Sequence, residues 1–211
     1  MPNWCNNNIT ITGPNKIIDK IDKIVAEEGS EGNLLQYFYP MPKELNDTTA
    51  DGSKDKAMIK KHGYSSWYDW RVDNWSTKWD VNEFYSIRRI ELGIDESEIS
   101  FGFDSAWAPP IGAYENFLNE NSNVSIKATY YEPGCDFMGI WDNGDDACWT
   151  ISDTAPKGSI DKFWNSAEGK ELDDLYGITE SMAEYEAQQE EERIGDNKEI
   201  IDYSKGEKVN V

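Results

Sequence analysis

The residues best suited to binding another molecule lie in and around one tryptophan-rich segment. Residues 67–81 read WYDWRVDNWSTKWDV, with four tryptophans beside an arginine, a lysine and several aspartates. Aromatic faces with one or two cations suit a nucleobase and its phosphate, or a similar nucleotide-like ligand. We therefore predict a ligand- or partner-binding site formed by Arg71, Trp75, Lys78, Trp79, Asp80, Trp107, Tyr131 and Glu132.

A structural role for the same rings is the alternative. Tryptophans fill cores well because each buries a large apolar area, and the neighbouring charges would then seal the edge of that core. Trp75 and Trp79 are four residues apart, so they share a face in an extended segment and also in a helix. The sequence leaves open whether the cluster is a core, a pocket floor or a joint between an insertion and a sheet.

Catalytic motifs are missing from the sequence. His62 is the only histidine, which excludes any mechanism that needs two, and no P-loop, G-x-S-x-G, H-E-x-x-H or dinucleotide-binding glycine pattern occurs. Acidic residues crowd the turns in residues 132–146, but without the spacing of a calcium-binding loop. We predict that the protein is not an enzyme and that it needs no metal and no cofactor.

The charge of the chain limits its partners. Forty-one acidic and 20 basic residues give a formal net charge of -21 at pH 7. We expect no direct binding to nucleic acid or membrane, because both are anionic and attract basic surfaces. Two interpretations remain. Either the negative charge keeps the protein soluble, or an acidic surface of the protein docks on a basic groove of a partner protein, including a groove built for DNA.

The cysteines and the amino terminus indicate a cellular location. Cys5, Cys135 and Cys148 are an odd number without a C-x-x-C pair, which predicts buried free thiols in a reducing cytoplasm. The first residues lack the basic and apolar regions of a signal peptide, and no apolar run is long enough for a transmembrane helix. We expect a cytoplasmic protein.

Hydrophobic periodicity predicts an α+β fold. Alternation of apolar and polar residues predicts strands, and apolar residues at helical spacing predict helices. Residues 33–42 are a strand or a buried turn, and residues 76–81 are the entry to a strand. The strands are predicted in residues 7–13, 98–107, 123–134, 135–141 and 147–152, and the helices in residues 15–29 and 108–122.

The order of these elements is that of a ferredoxin-like split β-α-β sheet. It carries an inserted tryptophan-rich segment, and an extra C-terminal β-hairpin is predicted at Asn143-Gly144. Residues 1–158 form the predicted domain, with a surface insertion at residues 43–66. Residues 159–211 form an acidic extension that is either helical or disordered.

Several sequence blocks, in the same order, resemble one family. The chain begins with MPNWCNNNITITG and continues through YPMP, WYDWRVDNWSTKWD, FDSAWAPP and YYEPGCDFMG. Over roughly residues 1–152 these blocks resemble the phage and plasmid proteins described as Api92-like or YubB-like. The resemblance implies a ferredoxin-like domain and an accessory protein of a bacteriophage or mobile element, working in the bacterial cytoplasm. Ser76 stands where the family pattern NWGTKW has glycine, so the local turn is expected to differ.

Two functional hypotheses follow. In the first, the chain is a non-catalytic bacteriophage or mobile-element accessory protein. It binds and inhibits a host or anti-phage defence protein that has a basic surface, through its own acidic surface and by nucleic-acid mimicry. In the second, a ligand-binding module sequesters a nucleotide-like small molecule in a pocket of tryptophans and Lys78. Salt separates the two, because it weakens charge docking more than ring stacking.

Overall fold

The computed structural model describes residues 3–26, 33–51, 55–154 and 160–206. The chain divides into two compact units, Met1–Asp153 and Thr154–Val211. Some parts of the sequence predictions lie outside the described residues, among them residues 27–29 of the first predicted helix, the domain boundary at residues 158 and 159, residues 52–54 of the insertion and residues 207–211 of the tail.

The first unit is a mixed α+β domain built on one open antiparallel sheet of six strands. Short helices fill most of the connection between its first and second strands. In chain order, the elements are β1 (Trp4–Pro14), α1 (Asn15–Ala26), α2 (Leu34–Phe38), a 3-10 turn (Lys43–Leu45), α3 (Lys56–His62), α4 (Trp67–Trp75), β2 (Phe84–Glu91), β3 (Glu96–Ala106), α5 (Ile111–Glu120), β4 (Ser125–Glu132), β5 (Phe137–Asp142), β6 (Asp145–Thr150) and a second 3-10 turn (Ser152–Thr154).

Strand β1 lies near the middle of the sheet. Its alternating sequence buries Ile9 and Ile11 on one face and leaves Thr10 partly exposed on the other. It pairs with β3 and β4, so that Ile9 lies opposite Phe101 on one side and Ala128 on the other. The resulting strand order is β2-β3-β1-β4-β5-β6.

Helices α1 and α5 contribute apolar faces to the core. The helical spacing of α1 buries Ile18, Ile21 and Val25, and this helix packs against β1 and β3. Helix α5 buries Tyr114 and Phe117 in the same cluster of core residues. Each such side chain contributes about 1.5–3 kcal/mol relative to leaving it in water. The two predicted helices are confirmed over residues 15–26 and 111–120.

The turn between β5 and β6 uses two residues in the left-handed region. Asn143 has φ 49° and Gly144 has φ 104°, which is the backbone of a tight hairpin turn. The side chain of Asn143 also accepts a hydrogen bond from the backbone N–H of Ile126 at 2.9 Å, which ties the turn to β4. Asp142 and Asp145 are paired across the turn. The predicted hairpin at Asn143-Gly144 is confirmed.

The segment between α1 and β2 differs from its predictions. Residues 34–38 form helix α2 rather than a strand, because Leu34, Leu35 and Phe38 bury one helical face in the core. Residues 76–81 form no strand, and the next strand begins at Phe84. Strand β2 lacks a regular alternation of apolar and polar residues, because a bulge between Tyr85 and Arg88 interrupts the period of two.

The cysteines are also placed differently from the prediction. Cys5 is fully buried on β1, where burial raises the pKa of its thiol. Cys135 and Cys148 are exposed, so the prediction of buried thiols is wrong for these two. Both lie where little packs over them, in the turn after β4 and on the terminal strand β6.

The second unit consists of helices α6 (Ile160–Phe163), α7 (Ala167–Tyr176) and α8 (Ile178–Gly206). Ser166 caps α7 by accepting a hydrogen bond from the backbone N–H of Gly169 at 3.0 Å. The Asp173 carboxylate accepts from the backbone N–H and the hydroxyl of Thr179 at 2.8 and 2.7 Å, which joins α7 to α8. Ile178 is buried at this joint.

Helix α8 is long and strongly polar. Its 29 residues include nine acidic and three basic ones, and the described side chains after Ser181 are exposed apart from the half-buried Met182. No helix in the described part of the chain has the length and apolar composition that crossing a membrane requires.

We expect residues from Ser181 onward to be dispensable for folding. The side chains described there, up to Ile194, are exposed apart from Met182 and offer little apolar burial, while the Asp173–Thr179 hydrogen bonds and buried Ile178 remain in a shortened chain. Deletion of residues 181–211 should shift the thermal midpoint by less than about 4 °C in a circular dichroism melt. A loss of cooperative unfolding would contradict this.

Candidate functional site

Helix α4 positions most of the tryptophan-rich segment. The Ser66 hydroxyl accepts a hydrogen bond from the backbone N–H of Asp69 at 3.2 Å and donates one to its carboxylate at 2.9 Å, which fixes the start of the helix. Trp67, Arg71 and Trp75 are then spaced by four residues and lie on one face. The side chains needed for a cluster therefore meet because this segment is helical.

The guanidinium group of Arg71 lies close to two indole rings. Its guanidinium carbon lies 5.1 Å from the ring centre of Trp67 and 4.8 Å from that of Trp75, within the range of cation–π attraction. The side chain is half-buried. Burial lowers the pKa of the guanidinium, and the negative charge of Asp80 opposes that shift.

Trp75 belongs to the core. It is fully buried, and its indole N–H donates a hydrogen bond to the backbone carbonyl of Tyr39 at 2.8 Å. The ring of Trp70 meets it edge-on, with centres 5.7 Å apart. Trp75 thus joins α4 to the chain segment that follows α2. For this residue the structural interpretation of the sequence holds, although its outer ring face also contacts Arg71.

Lys78 lies among three aromatic rings. Its ammonium nitrogen is 4.5 Å from the ring centre of Trp79, 5.1 Å from that of Trp107 and 5.9 Å from that of Tyr68. Trp4 extends the group, with its ring centre 6.0 Å from that of Trp79. We call Lys78 with Tyr68, Trp79 and Trp107 the lysine box. It brings together α4, the segment after it and the turn after β3.

Asp80 holds the start of α2. Its two carboxylate oxygens accept hydrogen bonds from the backbone N–H groups of Leu35 at 2.8 Å and Gln36 at 3.0 Å, and one also accepts from its own neighbour Val81 at 2.9 Å. Burial raises the pKa of Asp80, and these donors and the charge of Arg71 oppose the shift. Both carboxylate oxygens thus accept hydrogen bonds from the backbone of α2, and residues 76–81 form no strand.

Trp107 follows β3 in a strained conformation. Its φ is 73°, which is rare for a bulky residue, and its backbone N–H donates to the carbonyl of Asn3 at 3.0 Å. This turn directs the ring out of the sheet into the lysine box, where it stays 37% exposed. Trp4, at the start of β1, is 48% exposed. The two rings form the outer rim of the box.

Tyr131 and Glu132 belong to a neighbouring turn. The Glu132 side chain is buried and accepts hydrogen bonds from the backbone N–H groups of Gly134 and Cys135. Burial, and next the Glu132 charge, raise the pKa of Tyr131. Asn3 links this turn to Trp107, since its amide also donates to the Cys135 sulfur at 3.3 Å. Glu132 therefore shapes the turn after β4, and the lysine box does not include it.

The acidic side chain of Asp136, in the turn before β5, accepts hydrogen bonds. Asp136 accepts hydrogen bonds from the backbone N–H of Ser152 at 2.8 Å and from its hydroxyl at 2.5 Å. Across the described residues, no three histidine, cysteine or carboxylate side chains come together in a way that could hold a metal ion.

Ser76 ends α4 in a left-handed conformation. Its φ is 66°, the backbone that glycine adopts with least strain, and its hydroxyl accepts a hydrogen bond from the N–H of Gly112 at 3.2 Å. Gly112 must be small, because a Cβ atom there would lie 2.4 Å from the carbonyl oxygen of Asn74. The serine thus keeps a glycine-like turn and adds a hydrogen bond to α5.

Of the predicted site residues, Arg71 and Trp75 meet on α4, and Lys78, Trp79 and Trp107 meet in the lysine box. Asp80 instead binds the start of α2, and Glu132 binds the backbone of the turn after β4. The predicted site did not include Trp4, Trp67 or Tyr68. Helical spacing predicts the contact of Trp67 with Arg71, whereas Trp4 reaches the box through the pairing of β1 with β3.

The fold and this cluster define an α+β protein with a six-stranded open antiparallel sheet and a surface where rings and cations stack. The crystal structure of a protein api92 from Yersinia pseudotuberculosis is similar to this chain, with 13% sequence identity and a TM-score of 0.40. The match covers 71% of this chain and 98% of that one. No family model and no curated protein matches the sequence.

We predict that Trp75 and Lys78 differ strongly in their effect on stability. Trp75→Ala should lower the free energy of unfolding by about 3–5 kcal/mol, because it empties a fully buried ring site and leaves the Tyr39 carbonyl without its donor. Lys78→Ala should cost about 1 kcal/mol, since its ring contacts are partly exposed. Urea denaturation measures both, and equal losses would contradict the assignment of Trp75 to the core.

Ser76 allows a finer comparison. Ser76→Ala keeps the left-handed strain and removes the acceptor for Gly112, so it should lower stability by about 1 kcal/mol. Ser76→Gly loses the same hydrogen bond but relieves the strain, and should remain within about 0.5 kcal/mol of the parent. The two thermal melts should therefore differ. If glycine is as destabilising as alanine, backbone strain at this position is not the controlling factor.

Proposed function

We propose that this protein is a non-catalytic accessory protein of a bacteriophage or mobile element that binds and inhibits a host or anti-phage defence protein through an acidic surface. The observation that supports the proposal is the series of exposed acidic side chains from Glu180 to Glu192 on α8, in a chain with a net charge of -21. A basic groove on the partner would attract such a surface at long range. The cytoplasm of a bacterial host is the proposed setting.

Glutamates on α8 form a stripe along one side of the helix. Glu180, Glu184 and Glu191 lie within about 40° of each other around the helix axis, and all three are exposed. Among the described residues none forms an ion pair with them, whereas Glu190 pairs with Arg193 at 2.8 Å. The stripe extends for about 16 Å. We call these three residues the acidic stripe, and propose that it occupies a cation-lined groove in place of a nucleic-acid backbone.

The sheet is compatible with a finer fold assignment, which we also propose. Strands β1 to β4 follow the order β2-β3-β1-β4, with α1 between the first two strands and α5 between the last two. This is the arrangement of a ferredoxin-like split β-α-β domain. In this proposal β5 and β6 extend the sheet beyond β4, and helices α2 to α4 are an insertion between α1 and β2.

The alternative of a nucleotide-like ligand in the tryptophan cluster receives less support. A stacked base needs open ring faces, and Lys78 already covers faces of Trp79 and Trp107, while Trp75 is buried. Asp80 is engaged with the start of α2. Lys78 and its rings thus have the geometry of a joint that closes on itself, and the acidic stripe is the surface that we propose for the partner protein.

The test begins with a tagged pull-down from host lysate, followed by mass spectrometry to identify the partner. Binding of that partner should weaken steeply between low salt and about 1 M salt, where the screening length falls to about 3 Å. The variant Glu180→Gln, Glu184→Gln, Glu191→Gln should lose about tenfold or more in affinity at low salt. Isothermal titration calorimetry measures both effects.

The matched control is Glu83→Gln, Glu91→Gln, Glu96→Gln, which makes the same change in net charge at exposed positions of the first unit. It should retain most of the affinity. Loss of binding in the control variant alone would show that the docking surface is not on α8. Binding that does not depend on salt would contradict an electrostatic mechanism.

A further inference from the structure

Arg71 differs from the other arginines of the chain in its surroundings. The four arginines are Arg71, Arg88, Arg89 and Arg193. Arg89 pairs with Asp19 and Asp22 on α1 at 2.8 and 3.2 Å, and Arg193 pairs with Glu190. Arg88 is exposed to solvent. Arg71 is half-buried, and no carboxylate in the described part of the chain forms an ion pair with it.

The side chain of Arg71 has an unsatisfied hydrogen-bond donor at its Nε atom. The guanidinium carbon lies 5.1 Å from the ring centre of Trp67 and 4.8 Å from that of Trp75, but ring faces interact with the charge and accept none of its in-plane N–H bonds. The Nε atom is out of contact with solvent and has no hydrogen-bond partner among the described residues. Buried donors in folded proteins are nearly always paired, so this edge of Arg71 calls for an acceptor.

Asp80, the acidic residue whose charge acts on Arg71, cannot supply that acceptor. Asp80 acts on the Arg71 charge, but both of its carboxylate oxygens are occupied by the backbone N–H groups of Leu35 and Gln36. Moving Asp80 toward Arg71 would uncap α2. The chain contains about twice as many acidic as basic residues, and yet this cation remains unpaired. The geometry therefore keeps Arg71 available.

We propose that the in-plane edge of Arg71 is a binding site for an oxyanion, which presents two acceptor oxygens from a carboxylate or a phosphoryl group. A guanidinium forms two parallel hydrogen bonds with either group. The indole rings of Trp67 and Trp75 hold the plane in place before binding, so little side-chain entropy is lost when the anion arrives. The site is independent of the acidic stripe, which lies on α8.

The test uses the Nε–H resonance of Arg71 in the full-length, nitrogen-15-labelled protein. Titration with inorganic phosphate and, separately, with acetate is compared with chloride at the same ionic strength. We expect a saturable shift of the Arg71 resonance with at least one oxyanion and none with chloride. Phosphate and acetate distinguish a phosphoryl from a carboxylate ligand. A response to neither would overturn the proposal.

Two variants separate this site from general charge effects. Arg71→Lys keeps the positive charge but loses the planar pair of donors, and should weaken oxyanion binding about tenfold or more, as followed at the indole N–H resonances of Trp67 and Trp75. Arg88→Lys makes the same change on exposed β2 and should leave binding unaltered. An equal loss in both variants would overturn the proposal.

Lys78→Met provides a second control, since it removes the cation of the lysine box. Binding should persist in this variant. Loss of binding there, with binding retained in Arg71→Lys, would overturn the assignment to Arg71. The resonance shift in the parent protein decides the question even if Arg71→Lys fails to fold.

Discussion

The hydrogen bond from the buried indole of Trp75 to the Tyr39 carbonyl fixes the position of helix α4. It connects α4 to the segment after α2, and Asp80 reinforces the same connection by capping α2. Once these contacts form, α4 has a fixed orientation, and its face of Trp67 and Arg71 follows. The charge-bearing side chains of the cluster are thus positioned by a core contact, and the interior packs closely enough to transmit that positioning.

Two kinds of electrostatic environment coexist in this chain. Carboxylates dominate by number and cover exposed surfaces such as α8. Within the tryptophan-rich segment, by contrast, Lys78 and Arg71 are stabilised by aromatic rings. Cation–π contacts hold a cation in place without neutralising it, whereas an ion pair would cancel its charge. This difference allows a positive group to remain available on a protein that repels anions at long range.

Only some of the residues that meet in the candidate site could be predicted from the sequence. Arg71 and Trp75 were predicted in one site, and they meet because both lie on one face of α4. Trp107 joined Lys78 as expected, although through a left-handed turn that no hydrophobic pattern encodes. Glu132 was predicted as a binding residue, and in the structure its carboxylate accepts hydrogen bonds from the backbone of its own turn. An acidic side chain next to aromatic ones looks the same in sequence in either role.

The sequence by itself determined the local elements with strong periodicity: the alternation of β1, the apolar faces of α1 and α5 and the turn at Asn143-Gly144. These depend on residues close together in the chain. The tertiary structure alone decided that residues 34–38 are helical, that β2 continues through a bulge and which tryptophan is core or rim. The physical reason is that burial and hydrogen-bond pairing are set by partners far away in sequence, and the same ring or carboxylate serves a core, a cap or a surface according to what packs beside it.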